Sequence, residues 1–312
     1  TARDAYQIYV SMSGWEEDLY LATWRLGMCE REAGNYSGSL EAIRSAWTIE
    51  PQAPEAYIQL SLTFLAMKMY EKAISAASAA QSMDVNYKRL TVSFPMEYVW
   101  NPLIVQAQAY TELNKYEDAL VAYKKLKEAN YNGETLDEII EEIEQTVEND
   151  KKVKAIVEGF DGVKDKQEYY NTIPLELRTY PSIIRLRQTF DVKKESSGKD
   201  VVIMCGNAYE EWSPKSLETG IGGSEEAVIH MSRELHSKGY NVTVYNTITE
   251  TQVFDGVTYS PWWEYNPSDK QDIFIGWRYE QLFDTDVNAD KRYLWLHDVV
   301  SPYEYTPERL SR

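Results

Sequence analysis

The stretches "AGNYSGSLEAIRSAWTIEP" (33–51) and "MKMYEKAISAASAAQSMDV" (67–85) superimpose with Tyr36 over Tyr70. "LNKYEDALVAYKKLKEAN" (113–130) carries the same pattern around Tyr116, after a short insertion. Small residues recur in step: Ser39, Ala73 and Ala119 at one position, Ala46 and Ala80 at another. A period of about 34 residues marks an array of stacked supersecondary units. Each unit reads as two amphipathic helices, the second opening just after the Tyr. Small residues let the paired helices approach closely, while the Tyr and aliphatic positions fill the gap to the neighbouring repeat. The opening segment follows the same register, because Ala5, Tyr9 and Met12 lie one period before Ser39, Ile43 and Ala46. The chain is therefore expected to begin on the second helix of a repeat and to be preceded by further polypeptide. A solenoid normally starts with an element that hides its apolar face.

After Gly133 the sequence becomes an acidic helix, "ETLDEIIEEIEQTVEND" (134–150), with Leu136, Ile139, Ile140, Ile143 and Val147 on one face. That stripe is expected to pack on the last repeat, leaving the Glu-rich face in solvent. Residues 151–190 continue the helical pattern, broken at Pro174 and Pro181. The polar, Gly- and Ser-containing "DVKKESSGKD" (191–200) is then the expected domain boundary. The resulting division is 1–132 helical repeats, 133–190 additional helices on the solenoid, 191–200 linker and 201–312 a second domain.

The 312-residue length suits two domains, and 43% hydrophobic with 26% charged residues is ordinary for a globular chain. The net charge of −18 divides as −9 on either side of residue 190, so neither half offers the clustered Lys and Arg that a phosphate backbone demands. Cys29 and Cys205 lie far apart and form no disulfide framework, which points to a reducing, cytoplasmic setting.

Downstream of the linker the periodicity changes. "VVIMCG" (201–206) is a short apolar run of the kind that forms a buried parallel strand. The helical "SEEAVIHMSRELHSKG" (224–239) and the strand "NVTVYN" (241–246) complete a βαβ unit. Further strands are expected at 257–260, 272–278 and 293–299, giving a Rossmann-like, mainly parallel sheet. Ligands of such sheets bind beyond the carboxyl ends of the strands. Three places qualify. Gly220-Ile221-Gly222-Gly223-Ser224 opens the first helix, where bare backbone and free N–H groups can meet an anion, or where it is a plain glycine turn. It is not the dinucleotide fingerprint, since Glu225 stands at the third glycine position, and Glu225 and Glu226 oppose a closely seated phosphate. His297-Asp298, directly after "YLWL", either point into the cleft or are satisfied by local backbone. Trp277-Arg278, after "DIFIG", either line a sugar or phosphate site or cap the strand end.

Other signals are weaker. Asp284-Thr285-Asp286 is a D-x-D of the frequency chance supplies, and Trp262, Trp263 and Tyr265 suit core packing as well as sugar stacking. His230, His236 and His297 have no metal-ligand spacing, so no metal is expected. A nucleophile elbow and a P-loop are both missing from the sequence.

The repeat unit resembles the tetratricopeptide repeat (TPR), with Leu26-Gly27, Gly34, Tyr36, Ala46 and Pro51 matching its pattern. With "GWEEDLYLATWRLGMCEREAGNY" and "YVWNPLIVQAQAY", it is similar to the helical repeats that follow family 2 glycosyltransferase domains. "ETGIGGSEEAVIHMSRELHSKGYNVTVYN" resembles the first βαβ of the N-terminal half of GT-B glycosyltransferases, family 4 in particular, and "YLWLHD" the strand that carries their N-domain histidine. These resemblances imply an α + α/β chain: a TPR-like α-solenoid followed by the Rossmann-like N-terminal half of a GT-B enzyme. The implied activity is retaining, metal-independent transfer from a nucleotide sugar, which is substrate rather than cofactor, to a glycan or protein acceptor. Gly220, Gly222, Gly223 and Ser224 would face the donor diphosphate and acceptor, and His297 the donor sugar. The second GT-B half, with its nucleotide pocket, is not in this sequence. Thr306-Pro307 announces a helix that is cut off, so the chain is expected to be part of a longer, multidomain polypeptide and a poor catalyst alone. The alternatives are a TPR interaction scaffold with a non-catalytic α/β domain and, less favoured by the glycine pattern, a dinucleotide oxidoreductase.

Overall fold

The computed structural model describes the chain apart from residues 13, 84–94, 134, 192–193, 209, 279–281, 283–285 and 298–312. Two compact units are present, Thr1–Lys151 and Lys152–Arg312. The division falls well upstream of the 191–200 segment expected to be the linker.

The first unit contains α1 (Ala2–Val10), α2 (Glu16–Glu32), α3 (Tyr36–Ile49), α4 (Pro54–Ala66), α5 (Tyr70–Gln81), α6 (Pro95–Glu112) and α7 (Tyr116–Glu128). Tyr36, Tyr70 and Tyr116 each open the second helix of a pair, as the repeat period requires. The small residues of the repeat lie inside the stack: Ser39, Ala73 and Ala119 are all fully buried. Gly27 shows why size matters there. A Cβ on it would meet Ile43 Cγ1 at 3.0 Å and the Ser39 carbonyl at 3.3 Å.

Each pair turns through one residue with left-handed backbone, Gly34 (φ 76°), Lys68 (φ 58°) and Asn114 (φ 55°). The next N–H reaches back into the first helix, as in Asn35 N to Glu30 O, Met69 N to Phe64 O and Lys115 N to Tyr110 O. This is a Schellman closure that satisfies the last carbonyls of the first helix. Only Gly34 announces it by residue type. A buried carboxylate joins successive pairs, with Glu55 accepting from the hydroxyls of Tyr98 (2.6 Å) and Tyr20 (3.2 Å).

Helix α8 (Leu136–Gly159) begins in the first unit, where Leu136 and Ile140 share a cluster with Leu103, Ala107 and Leu126, as the apolar stripe predicts. The short helices α9 (Lys166–Thr172), α10 (Leu175–Arg178) and α11 (Pro181–Gln188) belong to the second unit. They enclose their own cluster of Tyr170, Ile173, Leu177 and Ile183, and the Arg187 guanidinium donates to the Glu264 carbonyl. These apolar residues thus contribute to a cluster of the second unit.

The sheet strands are β1 (Asp200–Met204), β2 (Asn241–Asn246), β3 (Gln252–Phe254), β4 (Val257–Pro261), β5 (Gln271–Trp277) and β6 (Ala289–Trp295), in the order β3-β4-β2-β1-β5-β6. All pairs are parallel except β3 with β4. α12 (Gly223–Ser237) covers one face, setting Val228 and Ile229 on Val201, Ile203, Val242 and Val244. Two strands differ from expectation. β3 pairs with β4 through Asp255 (φ 51°) and Gly256 (φ 80°), a tight hairpin whose backbone matches the strand twist. β6 starts at Ala289, ahead of its apolar run, and ends at Trp295, because its exposed Asp290, Lys291 and Arg292 form the solvated start of a sheet-edge strand. Gly256 also lies against α12, where an added Cβ would fall 2.1 Å from His236 Nε2. Gly256→Ala is expected to cost more than about 1 kcal/mol in urea denaturation, through both strain and displacement of His236.

Candidate functional site

β1 lies between β2 and β5, so the chain leaves it in opposite directions on its two sides. The carboxyl ends of β1 and β5 are therefore the topological switch point of the sheet, where a crevice opens. A cavity of about 440 Å³ sits there, walled by Trp212, Gly220, Gly222, Glu225, Trp277 and Arg278 among others. The sequence candidates at the first and third places thus meet at one site.

Local backbone explains their positions. Gly220 adopts φ 98°, with open space where a side chain would be, and Gly222 is the N-cap of α12. Gly223 and Ser224 form its first turn. The Ser224 hydroxyl accepts from Arg278 Nη2 at 2.8 Å, and Arg278 Nη1 stands 3.4 Å from Glu225 Oε1. Arg278 itself has left-handed backbone (φ 69°), unusual for a long side chain, and is fixed by its N–H donating to the Trp295 carbonyl at 3.0 Å. The turn folds its guanidinium over the Trp277 ring, 4.3 Å from the centroid. Trp277 is both core and cavity wall, at 1% exposure.

His297 stands behind this wall. Its ring lies 5.9 Å from that of Trp277 and 4.6 Å from that of Trp295, and its Nε2 is buried without a hydrogen-bond partner among the described residues. It is not among the residues that line the cavity. Asp298 lies outside the described residues, as do Asp284 and Thr285. Trp262, Tyr265 and Tyr245 pack with Phe274 and Met204 on the sheet face away from α12, and Trp263 is buried edge-on to Trp262, so the aromatic cluster serves the core. Cys205, fully buried at the end of β1, has its thiol pushed well up by burial, with Glu225 adding to the effect. Burial thus favours the neutral thiol over the thiolate that a nucleophile needs. Among the described residues no three His, Cys, Asp or Glu are grouped to hold a metal ion.

Two wall features escaped sequence reasoning. Trp212 comes from an irregular loop, held because the buried Asn246 donates from Nδ2 to the Trp212 carbonyl at 2.9 Å. Asn246 is a polar residue ending a buried strand, the same signal that singled out His297. The other is the pairing of Glu225 with Arg278, which are remote in sequence.

No family model and no curated protein matches the chain. Several solved structures do. The first TPR domain of the human RPAP3 protein is 16% identical with a TM-score of 0.36, over 43% of this chain and 95% of that one. A mutant Thermobaculum terrenum O-GlcNAc transferase is 11% identical with a TM-score of 0.33, over 92% of this chain. Full-length LpoA from Haemophilus influenzae is 10% identical with a TM-score of 0.33, over 94% of this chain and 68% of that one. The match spans 52% of the O-GlcNAc transferase, about half its length.

Proposed function

We propose that the chain supplies the acceptor-side half of a nucleotide-sugar-dependent glycosyltransferase of GT-B type, with the TPR-like solenoid for linkage or partner binding. The observation that carries this reading is the cavity at the switch point, walled by a bare glycine loop, two tryptophans and an arginine. The donor-sugar role falls to His297 through the resemblance of "YLWLHD" to the strand that carries the family's histidine, and there it would orient the donor for transfer. Asp298, next in sequence, remains a candidate beside it. In the reaction the bond from the anomeric carbon to the leaving diphosphate breaks, a bond to an acceptor hydroxyl oxygen forms with retention and without a metal ion, and the hydroxyl proton passes to an oxygen of the departing diphosphate. The nucleotide pocket belongs to a second half, and the location is cytoplasmic.

The test uses a polypeptide containing this chain, a labelled nucleotide sugar and an acceptor. His297→Ala is expected to lower transfer by about 100-fold or more with an unchanged thermal midpoint. Wild-type turnover in that variant sinks the assignment.

A scaffold reading has one observation in its favour. Ile8, Met12 and Trp15 are 63%, 58% and 51% exposed around α1, which buries no residue. Partner binding that is lost in Ile8→Glu, in a polypeptide without transfer activity, supports it.

A further inference from the structure

One residue of the solenoid departs from the repeat. Glu55 is the second residue of α4, and Leu21 stands one period before it. Glu55 is nevertheless buried, as are Tyr20 of α2 and Tyr98 of α6. These three helices are the first members of three successive pairs. The two carboxylate oxygens divide between the outer pairs: Oε1 accepts from the Tyr98 hydroxyl at 2.6 Å and Oε2 from the Tyr20 hydroxyl at 3.2 Å. The Tyr20 hydroxyl in turn accepts from the Ala56 N–H at 3.3 Å, so it is tied to the first turn of α4 twice. Taking a carboxylate out of water is costly, and the α4 N-terminus and two phenolic donors offset that cost. In a solenoid each repeat contacts its neighbours alone, and stability is a sum of repeat and nearest-neighbour terms. Here the first and third pairs share one carboxylate.

We propose that Glu55 is a coupling joint: it ties the first and third helix pairs energetically across the second, so that a disturbance at Tyr20 is carried to α6. Loss of either phenol leaves the carboxylate the other as a charge-assisted donor. Loss of both leaves the charge buried with neither, which costs more than two separate losses. The coupling is reciprocal, so a disturbance at Tyr98 reaches α2 equally. A partner seated on one end of the solenoid would thereby be felt two pairs away. The inference stands apart from the transferase reading, because it concerns the repeats alone.

Native-state hydrogen exchange on the intact chain reads the opening constants of α2, α4 and α6 helix by helix. Tyr20→Phe, Tyr98→Phe and the double variant are compared in the wild-type background and in Glu55→Met, which keeps the side-chain length and removes the acceptor. In the wild-type background the opening constant of α4 in the double variant is expected to exceed the product of the two single effects by about fivefold or more. Tyr20→Phe alone is expected to raise opening in α6 by about threefold or more. In Glu55→Met the double variant is expected to fall within about twofold of the product, and α6 to stop responding to Tyr20→Phe. A residue that only fills space gives independent losses confined to the helices it touches. A double variant that matches the product in the wild-type background therefore overturns the proposal, as does α6 exchange unmoved by Tyr20→Phe. Coupling that persists in Glu55→Met overturns the role of Glu55, because the tyrosines then communicate by another route. Should Glu55→Met fail to fold, Glu55→Gln takes its place. The amide has one acceptor oxygen and no charge, so the excess is expected to fall by about half or more, and an unchanged excess overturns the proposal.

Discussion

Replacing Trp277 by alanine is expected to destabilise the sheet unit by about 3–5 kcal/mol, the range for deleting a buried large aromatic. The residue ends β5 and is among the largest fully buried side chains. It packs 6.4 Å from the Trp212 ring and belongs to the cluster that joins α12 to β1 and β2. Alanine opens a cavity on which the loop carrying Trp212, the Arg278 guanidinium and the His297 ring all border. Trp277→Phe separates packing from polarity. A phenyl ring retains part of the contact with Trp212 and removes an N–H that has no partner among the described residues, so a cost under about 1.5 kcal/mol is expected. Urea denaturation followed by near-ultraviolet circular dichroism measures both. Equal losses for the two variants mean that the indole N–H, and not the ring packing, carries the stability, through a hydrogen bond made in solution.

The solenoid was legible because its determinants are local and periodic. Tyr36, Tyr70 and Tyr116 open helices, and Ser39, Ala73 and Ala119 are fully buried between them, so residue type and spacing state the packing directly. The left-handed turns at Lys68 and Asn114 were not legible, since the Schellman closure there tolerates a non-glycine residue. The sheet was legible where strands are buried on both faces, as in β1 and β2. It was missed where polarity masks extension: β3 is a short edge strand, although Asp255-Gly256 is a hairpin signal, and the charged start of β6 breaks no apolar run.

The site shows the same limit. Strand ends located Gly220, Gly222, Trp277 and Arg278, and the acidic residues after the loop already spoke against a seated phosphate. What Glu225 does instead depends on Arg278 crossing from another strand. His297 was placed by the same rule, yet the rule gives no rotation about the chain, and its ring came to rest between two tryptophans. The helices at 166–188 illustrate a further gap: their helical periodicity was plain, but nothing in a helical stripe names the surface that buries it.

The second large effect tests the repeat itself, because one repeat position is both buried and exposed in this chain. Ile43 in α3 and Tyr9 in α1 stand one period apart and are equivalent in register. Ile43 is 1% exposed and shares a cluster with Tyr20, Ala46, Ala53 and Ala56, whereas Tyr9 is 37% exposed on a helix that buries nothing. Ile43→Ala is expected to cost about 2–5 kcal/mol, because the neighbouring helices meet at small residues and cannot collapse into the space without losing their own contacts. Tyr9→Ala is expected to cost no more than about 1 kcal/mol, as for other exposed positions. Far-ultraviolet denaturation curves for the two variants give the comparison. Comparable costs would mean that the α1 face is covered in solution, since sequence register is the same at both positions and burial alone sets the difference.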